Sequence, residues 1–187
     1  IEDVVETKPL YLAEVAHVDR QVGRFVQAMK DAGIYDQALI IFTADHGEEF
    51  FEHGGLQHGH SLYQELIHVP FLIKLPRQRV AKRVNNFVTT QALLPTVLDL
   101  VGMESTSEPG WVKSLVPLIE DSSSLDSESA VISGSTFWER TESQWAVVLR
   151  GMKFIHRVDS GREELYDLQA DPLEQVSVVD RHPEIVE

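Results

Sequence analysis

Half of the chain's eight histidines fall within fifteen residues, among acidic residues and glycines. The histidines of this segment are His46, His53, His58 and His60, and its carboxylates are Asp45, Glu48, Glu49 and Glu52. Imidazole nitrogens and carboxylate oxygens are ligands for divalent cations, and glycines let the backbone approach a small ligand closely. The spacing alone leaves two interpretations open, a metal site or a set of capping and surface side chains.

The elements before and after this segment predict where it lies. Residues 38–44 form an uninterrupted apolar run, typical of a strand buried on both faces, and Phe71–Leu75 is a second such strand. Amphipathic helices are predicted over residues 10–32 and 90–101. This order predicts an α/β fold in which both strands are neighbours in a mainly parallel sheet covered by the helices. The histidine-rich segment then leaves the carboxyl end of a strand, where open α/β sheets bind ligands.

A change in composition marks the C-terminal third of the chain. Residues 120–129 are acidic, rich in serine and low in complexity, which is typical of a connector. Short strand-like runs follow, and Arg150–Gly151 suggests a hairpin between two of them. We therefore predict an α/β portion over residues 1–119, an acidic linker over 120–129 and a small antiparallel, β-rich subdomain over 130–187.

Charge and composition exclude several classes of partner. The formal net charge is -14, from 30 acidic and 16 basic residues, so nucleic acid is not expected as a partner. A small anionic substrate remains compatible, because a bound cation can reverse the local field. No apolar run approaches the roughly 18 residues of a membrane span, and without cysteine the chain has neither disulfides nor thiolate ligands. The chain begins with Ile1 rather than Met, which leaves the compartment unknown.

Several motifs closely resemble the second half of sulfatases, a family of the alkaline-phosphatase superfamily. They are Ile-Ile-Phe-Thr-Ala-Asp-His-Gly-Glu at 40–48, His-Gly-His-Ser-Leu-Tyr-Gln-Glu at 58–65, Leu-Pro-Thr-Val-Leu-Asp-Leu-Val-Gly at 94–102 and Glu-Leu-Tyr-Asp-Leu at 164–168. The likeness covers nearly the whole chain in order. It implies part of an alkaline-phosphatase-like fold and hydrolysis of sulfate esters by a parent protein of which this chain is the C-terminal portion. Family analogy also points to a periplasmic or extracellular location.

The resemblance implies roles for four residues. Asp45 and His46 correspond to the late pair of metal ligands, with calcium as the expected cation and zinc or manganese as alternatives. Sulfatases commonly contact the sulfate with a Lys in a Gly-Lys-Gly pattern, and this chain has His58 and His60 in that region. Both are expected to bind substrate, and His58 is favoured for the catalytic role because His-Gly before a Leu-Tyr pair occurs in a subset of the family. The family's usual Asp is replaced by Ala92, so Thr89 or Thr90 is expected to cap the following helix.

The nucleophile of the family is absent from this sequence. Sulfatases use a formylglycine made from Cys or Ser in a Cys/Ser-x-Pro-x-Arg motif, and no such motif occurs here. The resemblance therefore implies that formylglycine lies in a missing N-terminal part of the same protein. That part and a small sulfate ester are the expected partners. The isolated chain is expected to be inactive, with exposed apolar surface that favours homo-oligomers.

Two other functions stay open at the level of sequence. One keeps the superfamily and changes the reaction to that of a phosphodiesterase, phosphonate hydrolase or phosphoethanolamine transferase, because related phosphoryl-transfer enzymes use histidine at the same place. The other is a non-catalytic binding module with an empty metal site. The residue at the missing nucleophile position would separate the first alternative from a sulfatase.

Overall fold

The computed structural model shows two compact units. The described residues are 2–103, 112–120, 130–136 and 142–186, with side chains described from Thr7 onward. Unit 1 comprises residues 1–58 and 68–81, and unit 2 comprises residues 59–67 and 82–187. Within the described ranges, no helix combines the length and the apolar character needed to cross a bilayer.

The chain's division at residues 119 and 130 stays a prediction. The acidic linker lies almost entirely outside the described residues, which resume at Ala130. The helix Val116–Glu120 immediately precedes it and belongs to unit 2 together with the C-terminal strands.

Unit 1 begins with a long helix whose apolar face is partly exposed. Helix α1 spans Glu2–Asp31, so the predicted helix is confirmed and starts earlier than expected. It ends where Gly33 takes a φ of 72°, a left-handed conformation that costs glycine little. Val15, Val18 and Phe25 recur at the helical period but are exposed. Val22 and Met29 on the same face are half-buried, so the apolar stripe of α1 is covered in part.

Two strands of unit 1 pair, and their direction corrects the sequence prediction. Strand β1 (Ile40–Thr43) lies beside β4 (Phe71–Lys74), so the predicted neighbours are confirmed. The pair is antiparallel, with Ile40 opposite Lys74 and Thr43 opposite Phe71. An apolar run indicates that a strand is buried, but it does not indicate whether the strand pairs parallel or antiparallel with its neighbour. A parallel pair needs a crossover connection, usually a helix, whereas the chain between these strands contains only a hairpin and one short helix.

The hairpin between β1 and β4 belongs to the histidine-rich segment. Its strands are β2 (Glu49–Phe50) and β3 (Leu56–Gln57), paired antiparallel. Unit 1 therefore consists of α1, the β1–β4 pair and the β2–β3 hairpin, joined by short loops.

Unit 2 contains the small antiparallel sheet that the sequence predicted. Its four strands lie in the order β5 (Val131–Ser135), β6 (Gln144–Leu149), β7 (Met152–Arg157) and β8 (Glu163–Asp167), and each neighbouring pair is antiparallel. The β6–β7 hairpin turns through Arg150 and Gly151, both at positive φ as a two-residue turn of this hand requires. The remaining helices are α2 (Gln64–Ile67), α3 (Leu93–Leu100), α4 (Val116–Glu120) and α5 (Pro183–Val186).

The expected threonine cap lies on the turn before α3 and not on α3 itself. A short 3-10 turn over Thr90–Ala92 precedes the helix, and the Thr89 side chain accepts a hydrogen bond from the backbone N–H of Gln91. Pro95 falls in the first turn of α3, where its missing N–H leaves no intrahelical hydrogen bond unmade. Thr89 therefore caps the 3-10 turn, whereas Ala92, the residue before α3, offers no side-chain cap.

The core of unit 2 forms between the sheet and residues 62–67. Its buried cluster consists of Leu62, Tyr63, Ala146, Val148, Ile155, Tyr166 and Leu168. A buried ion pair accompanies it: the ammonium of Lys153 lies 2.6 Å from Glu174 Oε1, and both side chains are 0% exposed. Burial lowers the pKa of Lys153, and the carboxylate of Glu174 opposes that shift. The other oxygen of Glu174 accepts from the backbone N–H of Gln64, so the pair also holds the start of α2.

Replacing Lys153 by Met should strongly destabilise the chain. The substitution leaves the Glu174 carboxylate buried without its counter-charge, which costs about 3–5 kcal/mol in the free energy of unfolding. Lys113→Met serves as the matched control, because Lys113 is exposed and surface changes usually stay within about 0.5 kcal/mol. Urea denaturation measures both. A Lys153→Met variant as stable as the Lys113→Met control would show that the ion pair is not a structural requirement.

Candidate metal centre

The β2–β3 hairpin brings the two ends of the histidine-rich segment together. β1 ends at Thr43, and Asp45 and His46 follow in the loop that leads into β2. Glu49 pairs with Gln57 at the open end of the hairpin, so the next residues outward are Glu48 and His58. The register therefore explains their contact, in which His58 Nδ1 lies 3.1 Å from Glu48 Oε2.

Two carboxylates of the segment stabilise the hairpin itself. Glu49 is 1% exposed, and its Oε1 accepts from the backbone N–H groups of His53 (3.0 Å) and Gly55 (2.6 Å) across the turn. Glu52 accepts from the N–H of Phe50 and forms an ion pair with Lys8 at 3.0 Å. These contacts occupy Glu49 and Glu52 in local structure and favour Asp45 and Glu48 as the carboxylates for a ligand.

The ring of His46 is oriented by the backbone. Its Nδ1 lies 2.8 Å from the carbonyl oxygen of Gly47, and because a carbonyl only accepts, Nδ1 carries the hydrogen. In the neutral ring Nε2 then holds the lone pair, and it lies 3.6 Å from Asp45 Oδ2. Hydrogen bonding of one ring nitrogen to a carbonyl is the usual way in which proteins orient a metal-binding histidine. His46 is thus arranged as a ligand would be.

Three side chains converge within reach of a single ion. The rings of His46 and His58 stack with centroids 3.9 Å apart and an interplanar angle of 27°. His46, Glu48 and His58 each offer a ligand atom within 4.8 Å of the other two. Two imidazoles and one carboxylate form a donor set that suits zinc or manganese, whereas calcium prefers oxygen ligands. These residues fit a divalent cation.

Asp45 flanks this group and is strongly exposed. Its side chain is 87% exposed, and its Oδ1 accepts from the backbone N–H of His46 at 3.0 Å. That hydrogen bond is the main reason why the pKa of Asp45 is lowered from its usual value, and the neighbouring His46 ring adds to it. The carboxylate therefore stays ionised, as a metal ligand must.

The four residues singled out in the sequence divide between the two units. Asp45, His46 and His58 lie together in unit 1, whereas His60 is a half-buried residue of unit 2 whose carbonyl accepts from Gln144 Nε2 at 2.8 Å. Glu48 was named among the carboxylates but not selected as a ligand. The signal that could have identified it is the register of the hairpin, which places residues 48 and 58 next to each other.

Comparisons with known proteins show the family of the chain. Residues 6–103, more than half of the chain, match the family model described as Sulfatase. The whole chain is 28% identical to an arylsulfatase K of Xenopus laevis, and 92% of it is 28% identical to an arylsulfatase of Clostridium perfringens. The structure of a 2-O GAG sulfatase superposes with a TM-score of 0.78 and 27% identity, covering 90% of this chain and 38% of that one.

The likeness concerns a limited part of each relative. The chain spans 36% of the length of either arylsulfatase. Within that part it follows the relatives through both units, because the aligned share of the chain extends well beyond residue 103. The chain belongs to the sulfatase family and has part of its alkaline-phosphatase-like fold.

Proposed function

We propose that this chain is the C-terminal portion of a metal-dependent sulfatase that hydrolyses sulfate esters. The observation that carries the proposal is the convergence of His46, Glu48 and His58 after β1 in a chain of the sulfatase family. On this proposal the chain supplies part of the metal and substrate site. The nucleophile, expected to be a formylglycine, lies in the remainder of a longer protein.

The metal ligands proposed are Asp45 and His46, with Glu48 as a third. The backbone bonds around His46 support this role, since they orient its ring and keep Asp45 ionised. A bound divalent cation would offset negative charge on the sulfate oxygens and on the nucleophile. The family resemblance favours calcium, and the nitrogen-rich donor set favours zinc or manganese. Titration with each ion decides between them.

The substrate contacts proposed are His58 and His60. Nδ1 of His58 donates to the Glu48 carboxylate, which leaves Nε2 to meet the substrate. A protonated imidazole offers an N–H and a positive charge to an anionic sulfate, as the ammonium of a lysine does in other sulfatases. Glu48 thereby has two possible uses, as a cation ligand and as the group that orients His58. Metal titrations of Glu48 and His46 variants separate these two uses, because only the use of Glu48 as a cation ligand requires a metal.

We expect the 187-residue chain to bind a divalent cation weakly through His46. Isothermal titration with Zn²⁺, Mn²⁺ and Ca²⁺ measures this. His46→Ala should weaken binding of the preferred ion at least about tenfold. Loss of a group that only orients a metal ligand already weakens metal binding by about that factor. His182→Ala is the control, since that ring lies at 3.1 Å from Glu184 near the C-terminus. Equal affinities of His46→Ala and the wild type would remove His46 from the site.

In the longer sulfatase, Asp45→Ala should abolish turnover while the protein stays folded. Loss of one charged group that stabilises the transition state lowers kcat by about 100-fold or more. The melting temperature should stay close to that of the wild type, because the side chain is 87% exposed. Aryl-sulfate kinetics and metal content are measured together, with Asp180→Ala as an exposed-aspartate control. The 187-residue chain alone should show no turnover. An Asp45→Ala enzyme that retains both its metal and its rate contradicts the site assignment.

A further inference from the structure

We propose that the C-terminal sheet supports substrate binding, because a cross-strand pair, Ser135 and Gln144, positions His60 for the substrate. The inference rests on the proposed role of His60 in binding sulfate. It makes Ser135 and Gln144 positioning residues, since neither is required to touch the substrate itself.

The two residues bind successive carbonyl groups of one short segment. Ser135 of β5 and Gln144 of β6 are direct partners in the antiparallel register. The side-chain amide of Gln144 donates to the carbonyl oxygen of His60 at 2.8 Å. The hydroxyl of Ser135 lies 3.5 Å from the carbonyl oxygen of Gly59. Both peptide units that flank the Cα atom of His60 are therefore tied to the same pair of strands.

The position of Gln144 makes its contact rigid. The residue is 1% exposed and begins a strand that is paired on both sides. The donor side of this part-buried hydrogen bond is held in the core, so breaking the bond costs about the energy of one intramolecular hydrogen bond. The amide of Gln144 therefore restrains the peptide of His60 against the sheet.

The residues after His60 are anchored to the same sheet. Leu62 and Tyr63 are buried in the core of unit 2, and the hydroxyl of Tyr63 donates to Glu164 at 2.9 Å. Gly59, by contrast, has a φ of 86°, so the chain bends immediately before His60. The hydrogen bonds of Ser135 and Gln144 restrain the backbone between this bend and the core.

Fixing the backbone of His60 has a consequence for binding. A side chain on a restrained backbone loses less conformational entropy when it meets a ligand than one on a mobile loop. The sheet then contributes to affinity for the anion through Ser135 and Gln144, neither of which is among the proposed ligands of the cation. Variants in β5 and β6 should accordingly affect sulfate binding at His60 without changing the metal ligands.

Nuclear magnetic resonance of the 187-residue chain tests the proposal, with inorganic sulfate as the probe. Gln144→Met keeps the length of the side chain and removes its donor. We expect the carbonyl-carbon and ring resonances of His60 to shift, while those of His17 and His182 stay in place. The sulfate affinity read from the His60 ring should fall about fivefold, the effect of one hydrogen bond. Ser135→Ala should give a smaller change in the same direction and serves if Gln144→Met does not fold.

Trp145→Phe is the matched control, because Trp145 is the next residue of β6 and its side chain is half exposed. Unchanged His60 resonances and sulfate affinity in both test variants, with only a lower melting temperature, would overturn the proposal, since the contacts would then be merely structural. Shifted resonances without any response of wild-type His60 to sulfate would confirm the positioning and reject the proposed substrate role of His60. The two failures are therefore distinguishable.

Discussion

The buried carboxylate of Glu49 closes the hairpin on which the candidate site depends. Its Oε1 accepts hydrogen bonds from the backbone N–H groups of His53 and Gly55, and these bonds fix the turn between β2 and β3. Because β2 and β3 pair antiparallel, the chain reverses direction. His58 therefore lies beside Glu48, and its ring stacks on that of His46. A carboxylate with no direct part in ligand binding thus determines whether the ligands meet.

The proposed function requires a strongly acidic chain to bind an anionic substrate, and the structure shows how its charges are distributed. Several carboxylates are paired internally: Glu49 and Glu52 with the hairpin, Glu174 with Lys153, and Glu164 with Arg162 and Tyr63. The carboxylate of Glu48 lies beside His46 and His58, where the charge of a bound cation would offset its own. The formal net charge of -14 therefore does not describe the field at the site.

Much of the fold could be predicted from local pattern. Periodicity identified α1, the strands β1 and β4, and the antiparallel C-terminal sheet, because each depends on the order of apolar and turn-forming residues. The antiparallel direction of the β1–β4 pair could not be predicted, because an apolar strand has the same residue pattern in a parallel and in an antiparallel pair. Residue types likewise indicated a cation site but not the contribution of Glu48. The contact of Glu48 with His58 arises from the register of the β2–β3 hairpin, which the buried Glu49 stabilises. In the sequence, Glu49 is only one of several acidic residues in the segment.

In the proposed site, Asp45, His46 and Glu48 bind one divalent cation, and His58 lies beside it to meet the substrate. Anomalous diffraction from crystals of the chain soaked in Zn²⁺, recorded on both sides of the zinc absorption edge, tests this claim most directly. We expect a single strong peak about 2.0–2.1 Å from a ring nitrogen of His46, with Asp45 or Glu48 completing the protein ligands. Peaks confined to histidines outside the segment, such as His17 or His182, with none beside His46, would contradict the claim.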